Sequence, residues 1–198
     1  MRRSLDATDL ARVAVFAALI AVLGLPGSFP VFGGVPITAQ TLGVMLAGAV
    51  LGPVLGALSV TVLLALVAVG LPLLAGGRGG IAVFLGPSAG YALGWILGAA
   101  VVGILVHAGG RRPVIWRTAL AMTAGGIVAI YAVGVPVQSL VTRLPLGETA
   151  LASLVFVPGD LLKAAIATAV VTALVRVYPR GFRRTWRAPA SAPEVVAA

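Results

Sequence analysis

The chain has 198 residues, 60% of them hydrophobic and only 10% charged, with a net charge of +9 and a mean hydropathy of +1.13. A soluble domain is nearer 45–50% apolar and about 25% charged, so this composition belongs to a membrane protein. The basic residues cluster at the ends of apolar runs rather than along a stripe, which argues against nucleic acid as a partner. The chain lacks Cys and has one His, His107, which excludes a disulfide framework and thiol chemistry and leaves no plausible metal cluster.

Residues 1–12 are polar, carry Arg2, Arg3 and Arg12, and are expected to be cytoplasmic. No convincing small-residue cleavage site follows the first apolar segment, so a removed signal peptide is not expected. The first span is expected over Val13 to Pro30. A charge-free Gly/Pro loop, Gly27 to Pro36 with Phe29 and Phe32, follows and should pack over something apolar. No charge then occurs from Thr41 to Ala75. As one helix that run would be on the order of 50 Å long, against a hydrocarbon core of about 30 Å. Gly52-Pro53 is the natural break, because the residue before Pro is driven out of the helical region. It divides a second span, Ile37 to Leu51, from a third, Pro53 to Leu71.

Arg78 stands among four glycines in the next loop. A fourth span is expected from Pro87 to Val106, a polar segment from His107 to Arg117, and a fifth span from Thr118 to Leu140. Arg143 and Glu148 read as a solvated loop pair. The sixth span runs from Ala150 to Val175. The basic tail, residues 176–198, ends in Ala/Pro/Ser-rich sequence and is expected to be disordered.

Six spans put both termini on one side. Eleven Arg lie on that side (Arg2, Arg3, Arg12, Arg111, Arg112, Arg117, Arg176, Arg180, Arg183, Arg184, Arg187) and two, Arg78 and Arg143, on the other. The positive-inside rule therefore puts the termini in the cytoplasm. The fold expected is an all-α integral membrane bundle of six helices, with the membrane domain spanning residues 13–175.

Phe156-Val157-Pro158-Gly159-Asp160-Leu161-Leu162-Lys163 carries the strongest chemical signal. Asp160 and Lys163 are the charged residues between Thr149 and Val175, and Lys163 is the chain's one lysine. Pro-Gly before Asp160 predicts a helix start with Asp160 as N-cap, and the i,i+3 spacing puts both groups on one face. A structural ion pair is one reading. The other is recognition of a urea-like group, with N–H groups on the carboxylate and oxygen on the ammonium. Arg78 is either a solubilising loop residue or a clamp for an anionic group. Tyr91 and Trp95 form either an interfacial aromatic belt or a pocket wall bearing a phenol. Thr38, Gln40 and Thr41 either cap a helix or bind ligand. Small residues four apart, Ala14 with Ala18 and Ala17 with Ala21, allow close helix approach, inside the bundle or against a second membrane protein. There is no Walker A motif, and so no energy source within the chain.

Taken in order, Val35-Pro36-Ile37-Thr38 with Gln40-Thr41-Leu42, Gly70-Leu71-Pro72 with Ala75-Gly76-Gly77 and Gly79-Gly80, Gly86-Pro87-Ser88-Ala89-Gly90-Tyr91 with Gly94, and Phe156 to Lys163 resemble the BioY family. These are substrate-binding S components of biotin transporters of the energy-coupling-factor (ECF) type. The resemblance runs from about Val13 to Val175. It implies a six-helix S-component fold with a biotin pocket near the outer surface, under the first outer loop. It implies that Asp160 and Lys163 read the ureido ring, that Tyr91 lies in the pocket, and that Arg78 meets the valerate carboxylate. The family often has a small or polar residue at that last position. It further implies a transmembrane coupling protein and two cytosolic ATPases as partners, biotin as cargo, and no cofactor. An S component or solitary facilitator for another vitamin is an alternative, as is an intramembrane enzyme using Asp160 and Lys163. The enzyme reading lacks a nucleophile–base pair or metal set.

Overall fold

A computed structural model of the chain describes residues 5–26, 35–108 and 113–177. The apolar loop over 27–34, Arg111, Arg112 and the tail from 178 lie outside the described residues, as do Arg2 and Arg3. The described chain is helical, with one isolated antiparallel bridge between Leu74 and Arg78.

Helix α1 (Ala7–Val22) begins earlier than the apolar run predicts, because Asp6 caps it. The Asp6 Oδ1 accepts the Asp9 N–H at 2.7 Å, satisfying one of the donors that every helix start leaves free. Val13, Ala17 and Ile20 are buried, whereas Ala14 and Ala18 are exposed. Of the two small-residue stripes, the one through Ala17 is thus spent inside the bundle.

Helices α2 (Gln40–Leu51) and α3 (Pro53–Ala68) break where expected. Gly52 sits at φ 84°, a conformation open mainly to glycine, and Pro53 opens α3 at a position that needs no N–H. The pair closes against α4 (Ala89–His107), which also packs against α6 (Ile130–Thr142). The approach is close: a Cβ at Gly48 would run into the Ala99 carbonyl, and one at Gly103 into Gly52 and Pro53.

The predicted fifth span is one helical rod, Ile115–Thr142. It consists of α5 (Ile115–Thr123), a π-helical turn (Ala124–Ala129) and α6 (Ile130–Thr142). The last rod, Leu146–Val177, joins α7 (Leu146–Ser153) through a 3₁₀ turn to α8 (Val157–Val177). The structure departs from two expectations. Glu148 lies in the first turn of α7 rather than in a loop, and both it and Arg143 are exposed with no ion pair between them. Asp160 lies inside the first turn of α8, not at its N-cap, because the helix starts at Val157.

The helices Ala89–His107, Ile115–Thr142 and Leu146–Val177 are long and apolar enough to cross a membrane; α2 and α3 are apolar but shorter. Large apolar side chains such as Val15, Val54, Ile104, Leu120 and Leu162 face outward. A charge-poor helical protein that is apolar outside as well as inside is a membrane protein.

Candidate binding site

The first turn of α8 supplies the charged pair. Pro158 costs nothing there, since the first N–H groups of a helix have no intrahelical acceptor, and a carboxylate near a helix N-terminus is favoured by the helix dipole. Lys163 follows one turn later, and its Nζ lies 2.8 Å from Asp160 Oδ1. Asp160 is buried at 6% exposure. Its second oxygen, Oδ2, accepts the Tyr131 hydroxyl at 2.7 Å. The carboxylate thus holds one donor on each oxygen and keeps lone pairs for a ligand.

Tyr131 was not among the residues singled out from the sequence. It arrives from α6, immediately after the π turn. An extra residue in a helical turn rotates every later side chain by roughly 100°, so ordinary periodicity does not show which way Tyr131 points.

Asp160, Lys163 and Tyr131 border one cavity, part of it open to the outside. Val35, Leu74, Ala92, Ile130 and Phe156 give it apolar walls. Thr38, Gln40, Thr41, Arg78, Tyr91 and Trp95 line the same cavity, so all eight candidate residues named from the sequence meet in one place.

Their roles differ from the expectation in two cases. Gln40 is 1% exposed, and its amide is engaged by backbone. Its Nε2 donates to the carbonyls of Ile20 (3.2 Å) and Leu73 (3.0 Å), and its Oε1 accepts the Ala75 N–H (3.0 Å). Gln40 therefore staples the end of α1 and the 70–80 loop to the start of α2. Tyr91 presents its ring to the cavity, but its hydroxyl donates to Gln138 Oε1 (2.9 Å) and is hydrogen-bonded to Ser153 Oγ (2.8 Å). Its ring meets those of Tyr131 and Phe156 edge-on at 5.7 and 6.3 Å. The phenol beside the charged pair is that of Tyr131.

Arg78 is held by a tight turn. Leu74 and Arg78 exchange backbone hydrogen bonds at 3.0 and 3.2 Å, and Gly76 and Gly77 take φ of 77° and 70°. The guanidinium donates through Nε to the Ala75 carbonyl (3.2 Å) and through Nη1 to Ser88 Oγ (3.2 Å). Partial burial lowers its pKa, yet an arginine stays charged. Among the described residues it has no carboxylate partner.

Two polar atoms in the wall have no partner among the described residues: Thr41 Oγ1 and Trp95 Nε1. The sequence signalled Trp95 as an apolar wall and gave no sign that its N–H would be left free. His107, at the end of α4, has its Nδ1 2.8 Å from the Gly103 carbonyl, and no cluster of three potential metal ligands occurs among the described residues.

The profile of the BioY family matches residues 1–180. The chain belongs to the BioY family. It is 43% identical over 176 residues to the biotin transporter BioY of Rhodobacter capsulatus, covering 84% of this chain and 93% of that one. It is 45% identical over 177 residues to the biotin transporter BioY of Rhizobium etli, covering 86% and 95%. A crystallised S component for biotin from an ECF-type ABC transporter has the same fold, with a TM-score of 0.85, 32% identity, and coverage of 93% of this chain and 100% of that one. The four BioY-like stretches meet at the cavity: Val35 to Thr38 with Gln40 and Thr41 from the first, Arg78 between the glycines of the second, Ser88 with Tyr91 from the third, and Phe156 with Asp160 and Lys163 from the fourth.

Proposed function

We propose that this BioY-family chain is a membrane subunit that binds biotin from outside the cell and delivers it for uptake. Membership in this family makes it a transport component rather than an enzyme. The observation that carries the substrate is the pairing of chemistries in one cavity. A buried carboxylate stands with a partly buried ammonium and phenol on α6 and α8. A guanidinium without a counter-ion lines the same space. Apolar walls lie between. Biotin carries a urea, an apolar bicycle and chain, and a terminal carboxylate, and so offers a partner for each. Asp160 accepts a urea N–H, Lys163 donates to the urea oxygen, and Arg78 takes the carboxylate. Thr38 and Gln40 shape the wall, and Tyr91 contributes its ring. Biotin is cargo; we propose no resident cofactor.

We propose that α1, α2, α3, α4, α5–α6 and α7–α8 make six membrane spans; the arginine asymmetry supports cytoplasmic termini in the cell membrane. Residues 1–12 form the cytoplasmic start, 13–175 the membrane domain and 176–198 the basic tail. Uptake requires energy from elsewhere. A transmembrane coupling protein with two cytosolic ATPases would supply it, docking on the exposed stripe of Ala14 and Ala18. The test is binding of labelled biotin to the purified protein in detergent. Saturable one-to-one binding without change in ligand mass is expected. No binding by a folded protein would return the substrate to another small vitamin.

A further inference from the structure

The charged pair leaves half of a cyclic urea unread. In a five-membered ring the two urea N–H groups point away from each other, on either side of the oxygen. One carboxylate can therefore accept only one of them, and the second needs an acceptor on another wall. The urea oxygen has two lone pairs, of which the Lys163 ammonium takes one.

Two atoms on the wall formed by α2 and α4 fit these gaps. Trp95 is 7% exposed, and its Nε1–H has no partner among the described residues. An indole N–H only donates, and a buried one usually finds an acceptor. The Thr41 hydroxyl is likewise buried and unpartnered. Its position explains why. Thr61, Thr123, Thr142 and Thr168 each donate to the carbonyl four residues back at 2.7–3.1 Å. For Thr41 that residue is Ile37, which precedes α2, so the hydroxyl stays uncommitted. Thr118, early in α5, is also unpartnered among the described residues but does not line the cavity. A free hydroxyl alone is therefore no site. What distinguishes Thr41 is that it shares the cavity with an orphan indole N–H and with Asp160 and Lys163.

We propose that Trp95 and Thr41 complete the recognition of the cyclic urea. Trp95 Nε1 donates to the urea oxygen beside Lys163, and Thr41 Oγ1 accepts the N–H that faces away from Asp160. This rests on the biotin reading and extends it to a second wall. It makes α2 and α4 selective for a ring urea over other apolar carboxylates.

The experiment compares wild type, Trp95→Phe, Thr41→Val and, as a control, Thr118→Val. Each is titrated with biotin and with desthiobiotin, which keeps the cyclic urea and lacks the sulfur, and the ligand-free melting temperature is recorded. Trp95→Phe and Thr41→Val should each bind biotin about tenfold more weakly, the loss of roughly one good hydrogen bond. The same penalty should hold for desthiobiotin. Thr118→Val should bind as wild type does. The ligand-free melting temperature of Thr41→Val should not fall, since the variant removes a hydroxyl that has no partner. Wild-type affinity in both cavity variants would overturn the proposal. So would a Trp95→Phe penalty that vanishes with desthiobiotin, which would put the indole on the sulfur. A Thr41→Val loss matched by a fall in ligand-free melting temperature would make the residue structural. No biotin binding by the wild type would overturn the biotin reading itself and this inference with it, whereas unchanged variants overturn this inference alone.

Discussion

Replacing Asp160 by Asn separates what the charged cluster does for the fold from what it does for the ligand. The carboxylate holds Lys163 at 2.8 Å on one oxygen and Tyr131 at 2.7 Å on the other. Asn keeps one acceptor oxygen, so at least one donor is orphaned, and Lys163 loses its counter-charge. Hydrogen bonds to charged groups contribute about 1.5–3 kcal/mol, and removing one partner of a buried pair costs about 3–5 kcal/mol. Here the Lys163 side chain is 15% exposed, so some solvation remains and the cost should be about 2–4 kcal/mol of ligand-free stability. Biotin affinity should fall by about 1–3 kcal/mol, roughly 5- to 150-fold, through the lost charge-assisted bond to a urea N–H. The double variant Asp160→Asn, Lys163→Met removes the stranded ammonium as well. It should regain most of the stability and none of the affinity. Thermal melts read the first quantity and calorimetry in detergent the second. Wild-type affinity in Asp160→Asn would refute the role in binding. Recovery of both quantities in the double variant would reduce the pair to a structural tie.

Gln40→Leu should lower ligand-free stability by about 2–4 kcal/mol, because the Ile20 and Leu73 carbonyls and the Ala75 N–H lose their shared partner; an unchanged melting temperature would disprove the staple. Arg78→Gln should weaken biotin binding about tenfold or more while leaving biotin amide, which lacks the carboxylate, unaffected. An equal loss for both ligands would assign Arg78 to the loop rather than to the anion. Replacing Ala14 and Ala18 together with Leu should impair assembly with a coupling protein and spare biotin binding, since both residues are exposed. Normal co-purification would remove α1 as the docking face.

Composition alone decided the solvent of this protein, since so few charges and so much apolar surface leave no stable soluble form. Local rules went further. Gly52-Pro53 had to break the charge-free run because it is longer than a bilayer is thick, and α2 ends and α3 begins there. The i,i+3 spacing had to bring Asp160 and Lys163 together because a helix is regular at that range. Caps and helix starts were less legible, as they depend on which polar group wins the last free N–H. Asp6 extends α1 beyond its apolar run, and α8 starts at Val157 rather than at Asp160.

Only the tertiary structure decided what each polar side chain faces. Gln40 reads from the sequence as a helix cap or a ligand group, and its amide holds backbone of segments 20 to 35 residues away. The Tyr91 hydroxyl is taken by Gln138 and Ser153 from two other helical segments. Tyr131 reaches Asp160 through a π turn that ordinary helical periodicity does not register. Trp95 and Thr41 carry unspent polar atoms because nothing on neighbouring helices satisfies them. Sequence spacing fixes contacts within one helix. Whether a buried donor is satisfied depends on every helix around it, and that is settled only when the bundle closes.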